Sequence, residues 1–207
     1  MKTDSKTPGI ADASQFQKTA RMAGFLYLIF IVTLIYADLS VQKLIVQGDA
    51  AATANKIAAQ EWVFRLGFIS ELVSTVFFLL TAWALYVLLR PVNKNLAFLF
   101  VLLNLGGVAI QCLNVINLIA TLLLSSGADY LTVFRADQQK AMAMLFLNLH
   151  KNGFIVAQIF YGAWLFPLGY LVFRSGFLPR ILGVLLIMDG FGVLIWFSSS
   201  SFSRAMK

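Results

Sequence analysis

Continuous apolar runs of roughly twenty residues leave a chain few ways to fold, and this chain has several of them. They are separated by short polar or basic breaks, most sharply at Arg90-Pro91 and Arg174-Ser175-Gly176. A run of about 18 apolar residues is long enough for a helix to cross bilayer hydrocarbon. The fold class read from this pattern is all-α: a polytopic transmembrane helical bundle with about five spans, near residues 22–41, 62–89, 96–124, 153–173 and 180–197. Composition agrees, with 60% hydrophobic and 12% charged residues, against about 45–50% and about 25% in soluble domains. A membrane β-barrel would show short alternating segments instead.

The net charge of +7 would raise nucleic acid as a partner in a soluble protein. Here the basic residues sit at the ends of apolar runs, where they set topology and meet lipid headgroups. The expected partner is therefore the lipid bilayer, with no nucleic acid. The N-terminal region and the turns at Arg90/Lys94 and Arg174/Arg180 are basic, whereas the opposite side mixes signs. The positive-inside rule puts the N-terminus and the basic turns in the cytoplasm, as in a multi-pass membrane protein. Cys112 is alone and inside an apolar run, so it has no internal disulfide partner and reads as a packing residue.

Along the chain, residues 1–21 read as a polar cytoplasmic tail. Its length, with Asp4 and Asp12, favours an uncleaved first span over a signal peptide ending near Ala37. Asp49 is placed to cap a short helix through Ala58 or Ala59 outside the bilayer. Pro91 and Asn93 supply a break and a cap. The third span ends at Ser125-Ser126-Gly127. After Asp137 a short interfacial helix is expected over about 137–149, bent at Asn152-Gly153 from a fourth span that Pro167 kinks. Gly176 is available for a left-handed cap and Pro179 for a first turn. Residues 198–207 read as a short tail.

Several phrases combine in order: Ala20-Arg21-Met22-Ala23-Gly24, Gly48-Asp49-Ala50-Ala51-Ala52-Thr53-Ala54, Phe64-Arg65-Leu66-Gly67, YVLLRPVN from Tyr86 to Asn93, Leu149-His150 with Gly153, and RSGFLPRILG from Arg174 to Gly183. Together they resemble the bacterial membrane-protein family catalogued as domain of unknown function 4386, over nearly the whole chain from about Ala20. The resemblance implies a multi-span inner-membrane protein and supplies no catalytic residues. Family members usually continue into one more hydrophobic segment after the region matching 180–197. The ending FSSSSFSRAMK therefore implies a shortened or frameshifted C-terminus.

Ionisable groups inside spans are expensive, so each is a candidate for function. Glu71 lies toward the outer end of the second span, and His150 and Lys151 lie at similar depth on the fourth. Asn114 and Asn117 reach that level on the third. With Arg65 they form a candidate outer polar cluster. It reads either as a ligand- or proton-binding vestibule, since histidine ordinarily titrates near neutral pH, or as an ion-pair network anchoring helices. Asp189, near the middle of the fifth span, costs about 2.5–3.5 kcal/mol on insertion scales. It should face the bundle or a partner subunit, with Asn104 and Gln111 as its best neighbours. At 100° per residue Asn104, Gly107, Gln111 and Asn114 share a helix face, and Asn117 lies at its edge. Such amides commonly glue helices together.

One histidine and one cysteine exclude a zinc site of N/S ligands, and no metal is expected. A lone His150 would hold haem only with a different axial partner. No phosphate loop and no G-x-S-x-G phrase occurs, so no cofactor is expected. Ser70 and Ser74 are the sole serines at a depth suited to attack beside His150, and nothing selects them. Three functions remain open. One is a small transporter, or a binding or sensory protein, with an outward-facing polar pocket for an unidentified small molecule. The others are an intramembrane enzyme acting on a lipid or isoprenoid, and a structural subunit that forms a homo-oligomer.

Overall fold

The computed structural model describes residues 10–126 and 128–205. Among them are eight α-helices: α1 (Ile10–Gln42), α2 (Ala50–Ala59), α3 (Glu61–Leu89), α4 (Lys94–Asn114), α5 (Ile116–Leu124), α6 (Ala136–Ala163), α7 (Leu165–Ser175) and α8 (Arg180–Ala205). Five helical segments are long and apolar enough to cross a membrane: Ser14–Gln42, Glu61–Leu89, Lys94–Leu124, Ala136–Ser175 and Arg180–Ser199. The chain is an all-α bundle with the character of a multi-pass membrane protein.

Local chemistry sets several helix ends. The Asp49 carboxylate accepts the Ala52 N–H at the start of α2, and the Asn93 side chain accepts the Leu96 N–H at the start of α4. Pro91 separates α3 from α4 by removing a backbone donor. Gly176 closes α7 in the left-handed region at φ 74°, which a glycine enters without a Cβ penalty.

Four boundaries differ from the sequence reading. Residues 10–21, expected as tail, already belong to α1, and α8 continues past residue 197 to Ala205. Residues 1–9, 206–207 and Gly127 lie outside the described region. The third span is interrupted at Val115, between α4 and α5.

The fourth difference matters most. The helix is not broken at Asn152-Gly153, and the expected interfacial helix and fourth span are one helix, α6. The interruption falls at Trp164 instead. Pro167 explains it, because a proline ring crowds the carbonyl of the residue four earlier, here Ala163. Asn-Gly breaks a helix only where tertiary contacts do not hold it, and Gly153 is packed against α4.

α1 lies along α3. α4 packs between α3 and α6, and α8 lies on α6 and α7. At one end of the bundle are the basic turns after α3 and α7. At the other, α2 packs on the first part of α6. α6 and α7 together cover 40 residues. That is about 60 Å of helix, against about 30 Å of hydrocarbon, so the start of α6 extends past the bilayer and α2 caps it. Two apolar cores follow. One, toward the basic end, centres on Phe78, Phe100, Trp164, Leu168 and Leu171. The other, at the capped end, centres on Leu44, Ile57, Phe64, Leu118 and Leu147.

α8 rests on glycine. A Cβ on Gly183 would lie 2.6 Å from the Gly169 carbonyl oxygen, and one on Gly190 would lie 3.2 Å from that of Gly162. Such approaches let helices gain dispersion contacts where lipid removes the hydrophobic drive for association. α1 and α8 are the outermost helices and have no extended interface with each other.

Candidate functional site

The gap between α1 and α8 opens into a cleft of about 220 Å³. Six helical elements contribute to its lining. Tyr27, Phe30 and Leu34 come from α1, Glu71, Ser74, Thr75 and Phe78 from α3, and Gln111 from α4. Phe154, Gln158 and Tyr161 come from α6, with Trp164 and Leu165 at the break, and Asp189 and Val193 come from α8. The aromatic walls are mutually packed: Phe78 stacks on Phe30 with ring centroids 4.4 Å apart and meets Tyr161 and Trp164 edge-on. Tyr161 is held close to α4 because residue 107 is glycine.

A buried polar network forms the inner end. Glu71 and Gln111 are each 6% exposed. The Gln111 Nε2 donates to Glu71 Oε1, tying α3 to α4. The other carboxylate oxygen, Oε2, faces His150 Nε2 on α6 at 3.5 Å. His150 is held in turn by Asn114. The Asn114 Nδ2 donates to the His150 carbonyl oxygen at 2.8 Å, and His150 Nδ1 lies 3.4 Å from the Asn114 carbonyl oxygen. Asn117 Nδ2 donates to both the carbonyl and the side-chain oxygen of Asn114 at 3.1 Å. Three helices thus meet through one chain of polar contacts, and a removed member leaves buried partners unsatisfied.

Two local features make this possible. α4 ends at Asn114, so its last carbonyls are not all consumed by the helix. Gly153 lies opposite, and a Cβ there would collide with the Asn114 amide. It is a notch for that side chain. We expect Gly153→Ala to cost about 1–3 kcal/mol through overpacking and the displaced hydrogen bond. That outweighs the helix-propensity gain of up to about 1 kcal/mol. Adding Asn114→Ala should restore part of the loss in a denaturation series. A double variant no more stable than Gly153→Ala alone would refute the notch.

Of the residues singled out in the sequence, Glu71, Gln111, Asn114, Asn117 and His150 come together. Arg65 does not join them: it pairs with Glu61 one turn earlier, at 2.6 Å on the surface. Such an exposed pair is worth about 0–1 kcal/mol. Lys151 is exposed on α6. Asp189 is exposed on the cleft side of α8 and shares the lining with Gln111. Asn104 is fully buried, yet it does not line the cleft, and neither of its side-chain polar atoms has a partner among the described residues. Ser74 donates to the Glu71 carbonyl oxygen at 2.7 Å, an ordinary back-bond within the helix. Tyr27, Gln158 and Tyr161 were not legible as site residues, since each looks like routine packing until α1 and α8 are placed around them.

Among the described residues no cluster of three or more histidine, cysteine or acidic side chains is arranged to hold a metal. The arrangement has the character of a small-molecule site: concave, mostly apolar, with a few converging polar groups.

Comparison with known proteins gives a consistent picture. An uncharacterized protein of Archaeoglobus fulgidus is 35% identical over 115 residues, which is 55% of this chain and 54% of that protein. The aligned region therefore spans about half the length of that relative. No solved structure matches. Residues 22–204 match the family described as Domain of unknown function (DUF4386), and the chain belongs to that family.

Proposed function

We propose that the protein binds a small molecule in the cleft between α1 and α8, as a transporter or as a membrane-embedded binding or sensory protein. The observation that carries this reading is the continuity of the cleft. It runs from the buried Glu71–Gln111 pair to Asp189 on the outermost helix. Counted up α3 and α8 from the basic end, the two carboxylates differ in depth by about 13 Å. Two carboxylates set that far apart along one apolar-walled cleft are costly to retain for packing alone. The positive-inside rule, applied to the basic turns, supports a cytoplasmic N-terminus in the cell membrane.

A structural-subunit role would leave the cleft as a closed packing seam. The two readings separate by thiol reactivity in proteoliposomes carrying Cys112→Ser. Gln158→Cys, within the cleft, should react with N-ethylmaleimide at least tenfold faster than Ala157→Cys, its fully buried neighbour on α6. Equal, slow reaction at both positions would sink the binding reading. An enzyme acting on lipid is the weaker alternative, because His150 lies behind Glu71 and does not line the cleft.

A further inference from the structure

We infer that the ligand of the α1–α8 cleft is an amphipathic cation, an apolar molecule carrying a protonated amine; this rests on the reading of the cleft as a binding site. The charged groups that line the cleft are all acidic, although Tyr27, Gln158, Tyr161 and Trp164 add neutral donors. Glu71 and Asp189 contribute two carboxylates, and no lysine or arginine is among the lining residues. The imidazole of His150 stands behind Glu71 and offsets at most one of them.

Gln111 adds an independent observation. Its Nε2 is committed to Glu71, which turns Oε1 the other way, and that oxygen is buried without a partner. Leaving an amide oxygen unsatisfied in such a place is unfavourable. Gln111 lines the cleft, so a small side-chain rotation brings Oε1 to a donor supplied by a ligand. The hydroxyls nearest Glu71 offer no donor, since Ser74 and Thr75 both donate to the Glu71 carbonyl oxygen. An ammonium group brings several N–H donors and a positive charge, which suits Gln111 Oε1 and the carboxylate together.

The walls fit the rest of such a molecule. Phe30, Phe78, Tyr161 and Trp164 form a contiguous aromatic surface beside Glu71. Aromatic faces attract cations within about 6 Å, most strongly when water is excluded. The lateral gap between α1 and α8 admits a ligand dissolved in the bilayer with its ammonium leading toward Glu71. Asp189 then holds the ammonium on the way in. An anionic ligand would meet two carboxylates and an unpaired acceptor. A neutral hydrocarbon would leave Gln111 Oε1 unsatisfied and bring no counter-charge to Asp189.

The test is equilibrium binding to the full chain in lipid nanodiscs, corrected for empty nanodiscs, with three probes of one shape: phenylbutylamine, phenylbutanol and phenylbutyrate. Saturable amine binding is expected, at least tenfold tighter than the alcohol or the acid. Leu34→Trp, which fills the cleft from α1, should abolish it. Glu71→Gln and Asp189→Asn should each remove most of the preference for the amine. Asp189→Asn keeps the test open if Glu71→Gln does not fold, because Asp189 is exposed and makes no ion pair among the described residues. Leu34→Trp-sensitive binding in which the alcohol or acid equals the amine would overturn the cation assignment and leave the cleft as a site. So would an amine preference that survives in the folded carboxylate variants. No saturable binding of any probe, or binding indifferent to Leu34→Trp, would overturn the cleft reading as well.

Discussion

Gly183→Val is expected to detach α8 from α7. A Cβ at this position lies 2.6 Å from the Gly169 carbonyl oxygen, 2.7 Å from the Phe173 amide nitrogen and 2.9 Å from the Phe173 Cβ. Two of these three atoms are backbone, so no rotamer change relieves the clash and the helices must move apart. The contact is reciprocal, since a Cβ on Gly169 would lie 2.8 Å from the Gly183 carbonyl oxygen. Overpacking of this kind costs about 1–3 kcal/mol and occasionally more. Valine gains only a few tenths of a kcal/mol over glycine in helix propensity, so the steric term wins. Gly192→Ala is the matched control. Nothing lies within 4 Å of a Cβ there, and the change should be neutral or stabilising by up to about 1 kcal/mol. Reversible unfolding in mixed micelles, followed by helicity, reads both. Equal stability of Gly183→Val and the parent would mean that α8 is not seated on α7 as described. Because α8 carries Asp189, the same substitution should also disturb the cleft.

The second large effect is expected at Glu71. Glu71→Ala strands the Gln111 amide at 6% exposure and leaves His150 facing a void. Leaving a buried polar partner unsatisfied costs about 1–3 kcal/mol. Glu71→Gln retains an acceptor for Gln111 and should cost less. Polar contacts between membrane helices average only about 0.6 kcal/mol, because the unfolded chain in the membrane also finds partners. The expected order is therefore a small loss for Glu71→Gln and a loss of about 1–3 kcal/mol for Glu71→Ala. In a double-mutant cycle with His150→Leu, the coupling should exceed about 0.5 kcal/mol, as it does for residues in direct contact. A Glu71→Ala variant within about 0.5 kcal/mol of the parent, the range of ordinary surface substitutions, would show that the network holds nothing together.

Retaining Glu71 at that depth makes sense in two ways, and they are separable. As an anchor, its loss lowers stability and leaves any surviving folded protein competent to bind. As a ligand partner, its conservative replacement by glutamine preserves much of the stability and removes the preference for a cation. Stability and binding measured on the same Glu71→Gln preparation therefore distinguish the roles.

Residue order alone determined a great deal. Apolar runs of bilayer length can bury their backbone polar groups only as helices, so class and span number followed from hydropathy. Caps at Asp49 and Asn93 and the left-handed end at Gly176 were legible because the chemistry of a helix end is local. The shared face of Asn104, Gln111 and Asn114 was legible from the helical repeat, and all three are buried. Family membership was legible from ordered phrases of sequence and is confirmed over residues 22–204.

The tertiary structure decided what local chemistry leaves open. Asn152-Gly153 looks like a hinge by composition, yet Asn114 packs into that glycine and the helix continues unbroken. Arg65 looks like a partner for the buried acids, yet Glu61 is nearer and both can stay wet. Glu71 and His150 lie 79 positions apart in the sequence, and only the packing of α3, α4 and α6 sets them 3.5 Å from each other. The cleft is the clearest case. Its aromatic walls are ordinary core residues in sequence, and its opening exists because α1 and α8 each found a different helix to pack on. A helical period tells which residues share a face. It does not tell which other face they will meet, because that depends on contacts among distant segments that no local pattern records.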